Sequence, residues 1–162
     1  MALTTLGIFH TLIGVSALIG ASISLIKYGK IDLGHHSGKL YFYATIITAL
    51  TALGISKNGG FNAGHIFSLF ILALVLICYF LHTRRKENKP ARYVENFLFS
   101  FSFFLSWVPT INETFTRLPI GHPLAQGPKD PIIGKILLSF FILFIIGAAI
   151  QFTKQRKINK LL

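Results

Sequence analysis

Six histidines and five carboxylates are spread through this chain, and most of them fall into two groups once helical periodicity is applied. His10, His65 and Glu113 form one group, with His122 close by in sequence. His36, His82 and Glu95 form the other, together with His35 and Asp32. Two imidazoles and a carboxylate from three separate segments suit zinc or another transition metal, with His122 or water completing the shell. Two facing imidazoles could instead hold haem b. The same side chains can lock packing by hydrogen bonding to backbone or serine oxygens, or they can pass protons along an intramembrane path. All three chemistries remain open on residue type alone.

The elements that must position these groups are five apolar stretches, at about 3–26, 39–55, 63–81, 93–111 and 132–152. A helix rising 1.5 Å per residue needs about 20 such residues to cross a hydrocarbon core of roughly 30 Å. The runs are apolar on nearly all sides, which favours helices over the alternating strands of a membrane barrel. The expected fold is therefore all-α, a single transmembrane domain over residues 1–162 with five transmembrane helices. The second and fourth spans carry the weakest signals, with Thr45, Thr48 and Thr51 in one and Ser100, Ser102, Ser106 and Pro109 in the other.

Charge sets an orientation. Lys27, Lys30, Lys39, Arg84, Arg85, Lys86, Lys89, Arg92, Lys154, Arg156, Lys157 and Lys160 flank one side of the spans, against Lys57, Arg117, Lys129 and Lys135 on the other. Basic residues collect on the cytoplasmic side, so the N-terminus is expected outside and the C-terminus in the cytoplasm. No Lys or Arg precedes Lys27, so the first stretch lacks the basic start of a signal peptide and reads as a retained span. A net charge of +11 would suggest nucleic acid in a soluble protein. Here the excess lies at helix ends, where orientation and anionic headgroups account for it, so nucleic acid is not an expected partner. At 52% hydrophobic residues and a mean hydropathy of +0.63, the chain leaves little material for a soluble domain. The single cysteine, Cys78, lies inside the third stretch and cannot form an internal disulfide.

Gly7, His10, Gly14, Ala17, Ala21 and Ser24 share one face of the first helix, and every member except His10 is small. Small residues mark close helix approach in membranes, so His10 should point into the bundle. The third helix carries His65, Ser68, Leu72, Val75, Tyr79 and His82 on a comparable stripe, and the fourth carries Glu95, Ser102, Ser106 and Glu113. A carboxylate stripe should avoid lipid. Depth then places His10, His65 and Glu113 in the outer half and His36, His82 and Glu95 at the inner end. There Glu95 is expected to pair with Arg84, Arg85, Arg92 or Lys39. A two-haem arrangement is less attractive, because His65 and His82 lie roughly 25 Å apart along their helix and no helix pair supplies both ligand sets.

The segment 56–62 reads as a tight Gly/Asn turn pairing the second and third helices. Residues 112–131, with four prolines and two glycines, read as an extracytoplasmic loop or lid. Asn112-Glu113-Thr114 matches a glycosylation acceptor. No Walker, Rossmann, His-Glu-x-x-His or Cys-x-x-Cys pattern occurs, and nothing favours a hydrolase.

His36, Gly38, Lys39 and Tyr41 open the second span after a histidine in the first, and Gly59-Gly60 follows it. This pattern resembles a family of small bacterial multi-pass membrane proteins of unknown function. The resemblance covers about the first half of the chain. It implies a bacterial inner-membrane protein and raises His10 and His36 as more than packing residues. Three functions fit the residues: a metal or haem b protein, a non-enzymatic accessory or scaffold subunit of a membrane complex, and a small proton-coupled transporter along the Glu95–Glu113 stripe. Five helices make a thin wall around a pathway, so the last reading implies a homo-oligomer.

Overall fold

Capping chemistry marks where four of the five helices begin. A computed structural model describes residues 4–56, 60–85 and 87–161. Thr4 caps α1 (Thr5–Tyr28), its hydroxyl accepting the Gly7 N–H, and Gly29 ends the helix at φ 71° in the left-handed region. Helix α2 (His36–Ala52) follows a seven-residue connection, 29–35. Asn62 and His65 form a reciprocal capping box at the start of α3 (Ala63–Arg84). Asn88 Oδ1 accepts the Ala91 N–H at the start of α4 (Lys89–Arg117). Asp130 Oδ1 accepts the Ile132 N–H where α5 (Pro131–Leu161) begins, with Pro131 in the first helical position.

The fold is all-helical, with no strand among the described residues. Four helices, α1, α3, α4 and α5, are long and apolar enough to cross a membrane. At 17 residues, α2 is shorter than those four. Several boundaries differ from the sequence reading. Helix α2 starts at His36 and stops at Ala52 rather than covering 39–55. Helix α4 runs through Pro109 and on to Arg117, so the loop expected over 112–131 is confined to 118–130. The extension is held by Thr116 Oγ1 donating to Asn112 O at 2.7 Å and by an ion pair between Glu113 and Arg117 one turn apart. Asn112 thus sits in a helix with its side-chain oxygen buried, which does not suit a glycosylation acceptor. Helix α5 continues well past residue 152, because its basic tail alternates exposed Lys154, Arg156, Lys157 and Lys160 with buried Gln155 and Asn159. Of the expected Gly/Asn turn, Lys57, Asn58 and Gly59 lie outside the described residues.

The chain divides into two compact units, Met1–Phe99 and Ser100–Leu162. In the first, α2 runs antiparallel along α1 and also packs on α3. The expected small-residue face of α1 is the buried one: Gly7, Ala17, Ala21 and Ser24 are buried, while Phe9, Leu12, Val15 and Ile19 stand outward. A β-carbon on Gly14 would meet Thr48, one on Gly20 would lie 2.9 Å from the Ser37 carbonyl oxygen, and one on Gly54 would lie 2.9 Å from Leu6. On α3 the buried line is His65, Ile71, Leu74, Val75 and Cys78. Tyr79, expected inside, is exposed and stacks on Phe42. In the second unit, Ile111, Ala125 and Ile133 form a core packed by Trp107, Phe115 and Phe140. The loop is tied to this core by the Ala125 N–H on Phe115 O, and Asp130 Oδ2 accepts the Gln126 N–H.

Gly38 is the tightest position in the first unit: an added β-carbon would fall 2.1 Å from the Asp32 carbonyl oxygen. Gly38→Ala should therefore destabilise the protein by about 3 kcal/mol or more, since backbone cannot yield as a side chain does. Gly147→Ala, where a β-carbon meets nothing within 4 Å, should be neutral or stabilising by up to about 1 kcal/mol. Thermal unfolding of the detergent-purified variants measures both.

Candidate functional site

Hydrogen bonds hold both His10 and His65 within the first unit. The Thr51 hydroxyl donates its one proton to a backbone carbonyl, Ile47 O at 2.9 Å or Thr48 O at 3.0 Å. The same hydroxyl oxygen hydrogen-bonds His10 Nδ1, 3.1 Å away. His65 is 4% exposed and uses both ring nitrogens. The Asn62 N–H donates to its Nδ1 at 3.2 Å, and its Nε2–H donates to the Ile55 carbonyl at 3.1 Å. His65 thus clamps the start of α3 to the residues just beyond α2. Glu113 and His122 belong to the second unit. There Glu113 is paired with Arg117, and His122 is exposed on the loop with its backbone N–H on Pro119 O. Among the described residues, no group of three His, Cys, Asp or Glu side chains is arranged to hold a metal ion.

The denser polar site lies at the other end of the first unit and is built from α1 outward. Ser24, wholly buried in the last turns of α1, donates to Lys30 O and accepts the Asp32 N–H, both at 3.0 Å. This pins the 29–35 connection and aims Asp32. Asp32 Oδ1 accepts the Gly34 N–H at 2.9 Å, while Oδ2 lies 3.6 Å from Lys30 Nζ and 3.4 Å from His35 Nδ1. Partial burial pushes the Asp32 carboxyl upward. The Gly34 N–H and the positive fields of Lys30, His35 and His82 outweigh that and hold it below the usual carboxylate range.

His82, on the last turn of α3, meets Glu95 of α4 through Nδ1 and Oε1 at 2.8 Å. Glu95 is only 8% exposed. Cys78, one turn before His82, turns its thiol toward the Glu95 backbone carbonyl at 3.8 Å. The structure therefore joins two of the three inner-cluster residues, His82 and Glu95, and adds Asp32 to their electrostatic neighbourhood. Glu95 takes His82 as partner; of the cations expected beside it, Arg84, Arg85 and Lys39 are exposed. His36 lines a neighbouring recess with Lys27, Tyr28, Gly34, His35 and Ser37. Ser102 is wholly buried in the second unit, and Ser106 Oγ donates along the helix to Ser102 O at 2.9 Å.

Other polar residues were missed by the sequence reading. Gln151, Gln155 and Asn159 are all buried on α5, with Ser100 Oγ donating to Gln151 Oε1 and Gln155 Nε2 to Asn159 Oδ1, each at 2.8 Å. Their spacing of four residues, one helical face, was the available signal. Comparison with known proteins found no family model, no curated protein and no solved structure that matches this chain. The resemblance carried by His36, Gly38, Lys39 and Tyr41 stands on those residues alone.

Asp32 makes stability depend on pH in a definite direction. Its folded pKa lies below its unfolded value of about 3.9, so the folded state binds fewer protons. The stabilisation is complete above the unfolded value and disappears as pH falls through the folded one. The stability gap between wild type and Asp32→Asn should be constant near neutral pH and close below about pH 4. Thermal unfolding across that range measures it, and a gap independent of pH would remove the carboxylate from this role.

Proposed function

We propose that the chain is a five-span protein of the bacterial plasma membrane, N-terminus outside, in which His82, Glu95 and Asp32 form a proton-accepting station of a small proton-coupled carrier. Connectivity supports the fifth span. Helix α1 ends beside Asp32, whereas α3 starts at the opposite end, where His65 holds Ile55 and Thr51 meets His10. If α1 and α3 both cross, the chain between them must return, and α2 is the segment that lies along α1. The twelve-to-four division of basic residues supports the orientation.

The observation that carries the chemistry is a buried carboxylate held at 2.8 Å by an imidazole from another helix. Intramembrane ionisable groups are costly and mark ion or proton paths. An imidazole can take a proton on Nε2 as it gives one from Nδ1, so His82 can pass a proton to Glu95.

A metal or haem held by His10 and His65, with Glu113 and His122, is the competing use of the histidines. It requires His65 to release one of its two hydrogen bonds. An optical spectrum with elemental analysis separates the readings, since a Soret band or stoichiometric metal would displace the carrier. Docking to other subunits is favoured by one observation: only 6% of the apolar stretch of α5 is buried, against 39% for α4.

Two measurements test the proposal. Single cysteines at Ser56 and Gln126 should react with an impermeant maleimide on intact cells, and those at Glu87 and Lys154 only after permeabilisation; the reverse pattern would sink the orientation. In vesicles under a pH gradient, Glu95→Gln should slow proton entry by about tenfold or more, equivalent to about 1.4 kcal/mol of barrier. Equal rates for wild type and Glu95→Gln would exclude the station.

A further inference from the structure

We propose that the recess between the end of α1 and the start of α2 binds the phosphate headgroup of an anionic phospholipid. The recess measures about 360 Å³ and is lined by Ile23, Lys27, Tyr28, Gly34, His35, His36 and Ser37. Its side walls come from two helices and their connection, and its lining holds one lysine, two histidines and no carboxylate. Asp32 lies beside this set, and its carboxyl is engaged by the Gly34 N–H, Lys30 and His35. That engagement fixes His35, which also stacks on Tyr28 at 3.7 Å between ring centroids, so one wall is rigid. Lys27 and His36 are exposed and belong to the two helix ends that face each other across the opening.

A second observation is independent of charge. Ser37 is one of the lining residues, its Oγ is buried with no hydrogen-bond partner, and His35 gives the start of α2 no side-chain cap. The first-turn N–H groups of α2 and this hydroxyl therefore supply donors to an acceptor-rich group, and phosphate has oxygens for each. The apolar member, Ile23, decides the source of the phosphate. It lies one turn deeper on a membrane-crossing helix and is 39% exposed, so the recess is basic at its mouth and apolar along the helix below. An amphiphile with a charged head and an acyl chain matches that gradient; a free phosphate uses only its upper part. A second depression on α5, lined by Ala149, Ile150, Thr153, Lys154 and Lys157, has cations but comes from a single helix. It serves as the comparison for charge without a formed site.

Native mass spectrometry of the detergent-purified full chain, titrated with phosphatidylglycerol, tests this. One lipid should be retained in preference to phosphatidylcholine. Lys27→Ala with His36→Ala should weaken retention by about tenfold, while Lys154→Ala with Lys157→Ala should change it less than about twofold. Unfolding temperatures without lipid check that the fold is intact, and Lys27→Gln alone gives the same reading if the double variant is unstable. Unchanged binding in the recess variant, equal loss in the α5 variant, or equal retention of phosphatidylcholine would each overturn the proposal. Displacement of the lipid by inorganic phosphate would also overturn it, assigning a site for soluble anions.

Discussion

One buried hydroxyl organises the polar end of the first unit. Ser24 accepts from the Asp32 amide and donates to the Lys30 carbonyl, converting the connection after α1 into a fixed turn. Because that turn is fixed, the Asp32 carbonyl can lie over Gly38, and α2 can begin where only a glycine allows the approach. The register of α2 on α1 follows from there, through Gly20 against Ser37, Gly14 against Thr48 and Leu6 against Gly54. A side chain of one heavy atom beyond its β-carbon thus decides how two helices meet along much of their length. In an apolar solvent the alternative for that hydroxyl and its partners is an unsatisfied polar group, which costs several times more than in water.

The histidines show how a single residue type divides between structure and chemistry. His65 spends both nitrogens on main-chain groups, and its two bonds tie three consecutive pieces of chain together. His82, itself half-buried, has a buried carboxylate partner on another helix. The difference lies in what surrounds each ring: main-chain dipoles with fixed charge around the first, titratable groups around the second.

Much of this arrangement was legible in the residues. The seam on α1 could be read because glycines, alanines and Ser24 recur at spacings of three and four, a pattern that apolar composition alone does not produce. The grouping of His82 with Glu95 followed from their positions near consecutive helix ends. What could not be read was the local hydrogen bonding. A histidine three residues after Asn62 looks like any first-turn histidine until the capping box is seen. Helix ends were misjudged where polarity was taken for a break: α4 continues past Ile111 to Arg117, and α5 continues by turning its amides inward and its lysines outward. The failure has one cause, since hydropathy reports where a helix can meet lipid and not where its backbone ladder stops.

Trp107 is the only tryptophan in the chain, and its ring lies 4.9 Å from that of Phe140 within the second unit. The first unit contains no indole, so fluorescence excited beyond the tyrosine absorption band reports the surroundings of Trp107 in the second unit and is blind to the first. Circular dichroism sums over both. Melting curves from the two methods, recorded on one sample, will coincide only when the halves lose structure together, which turns a single tryptophan into a built-in gauge of cooperativity.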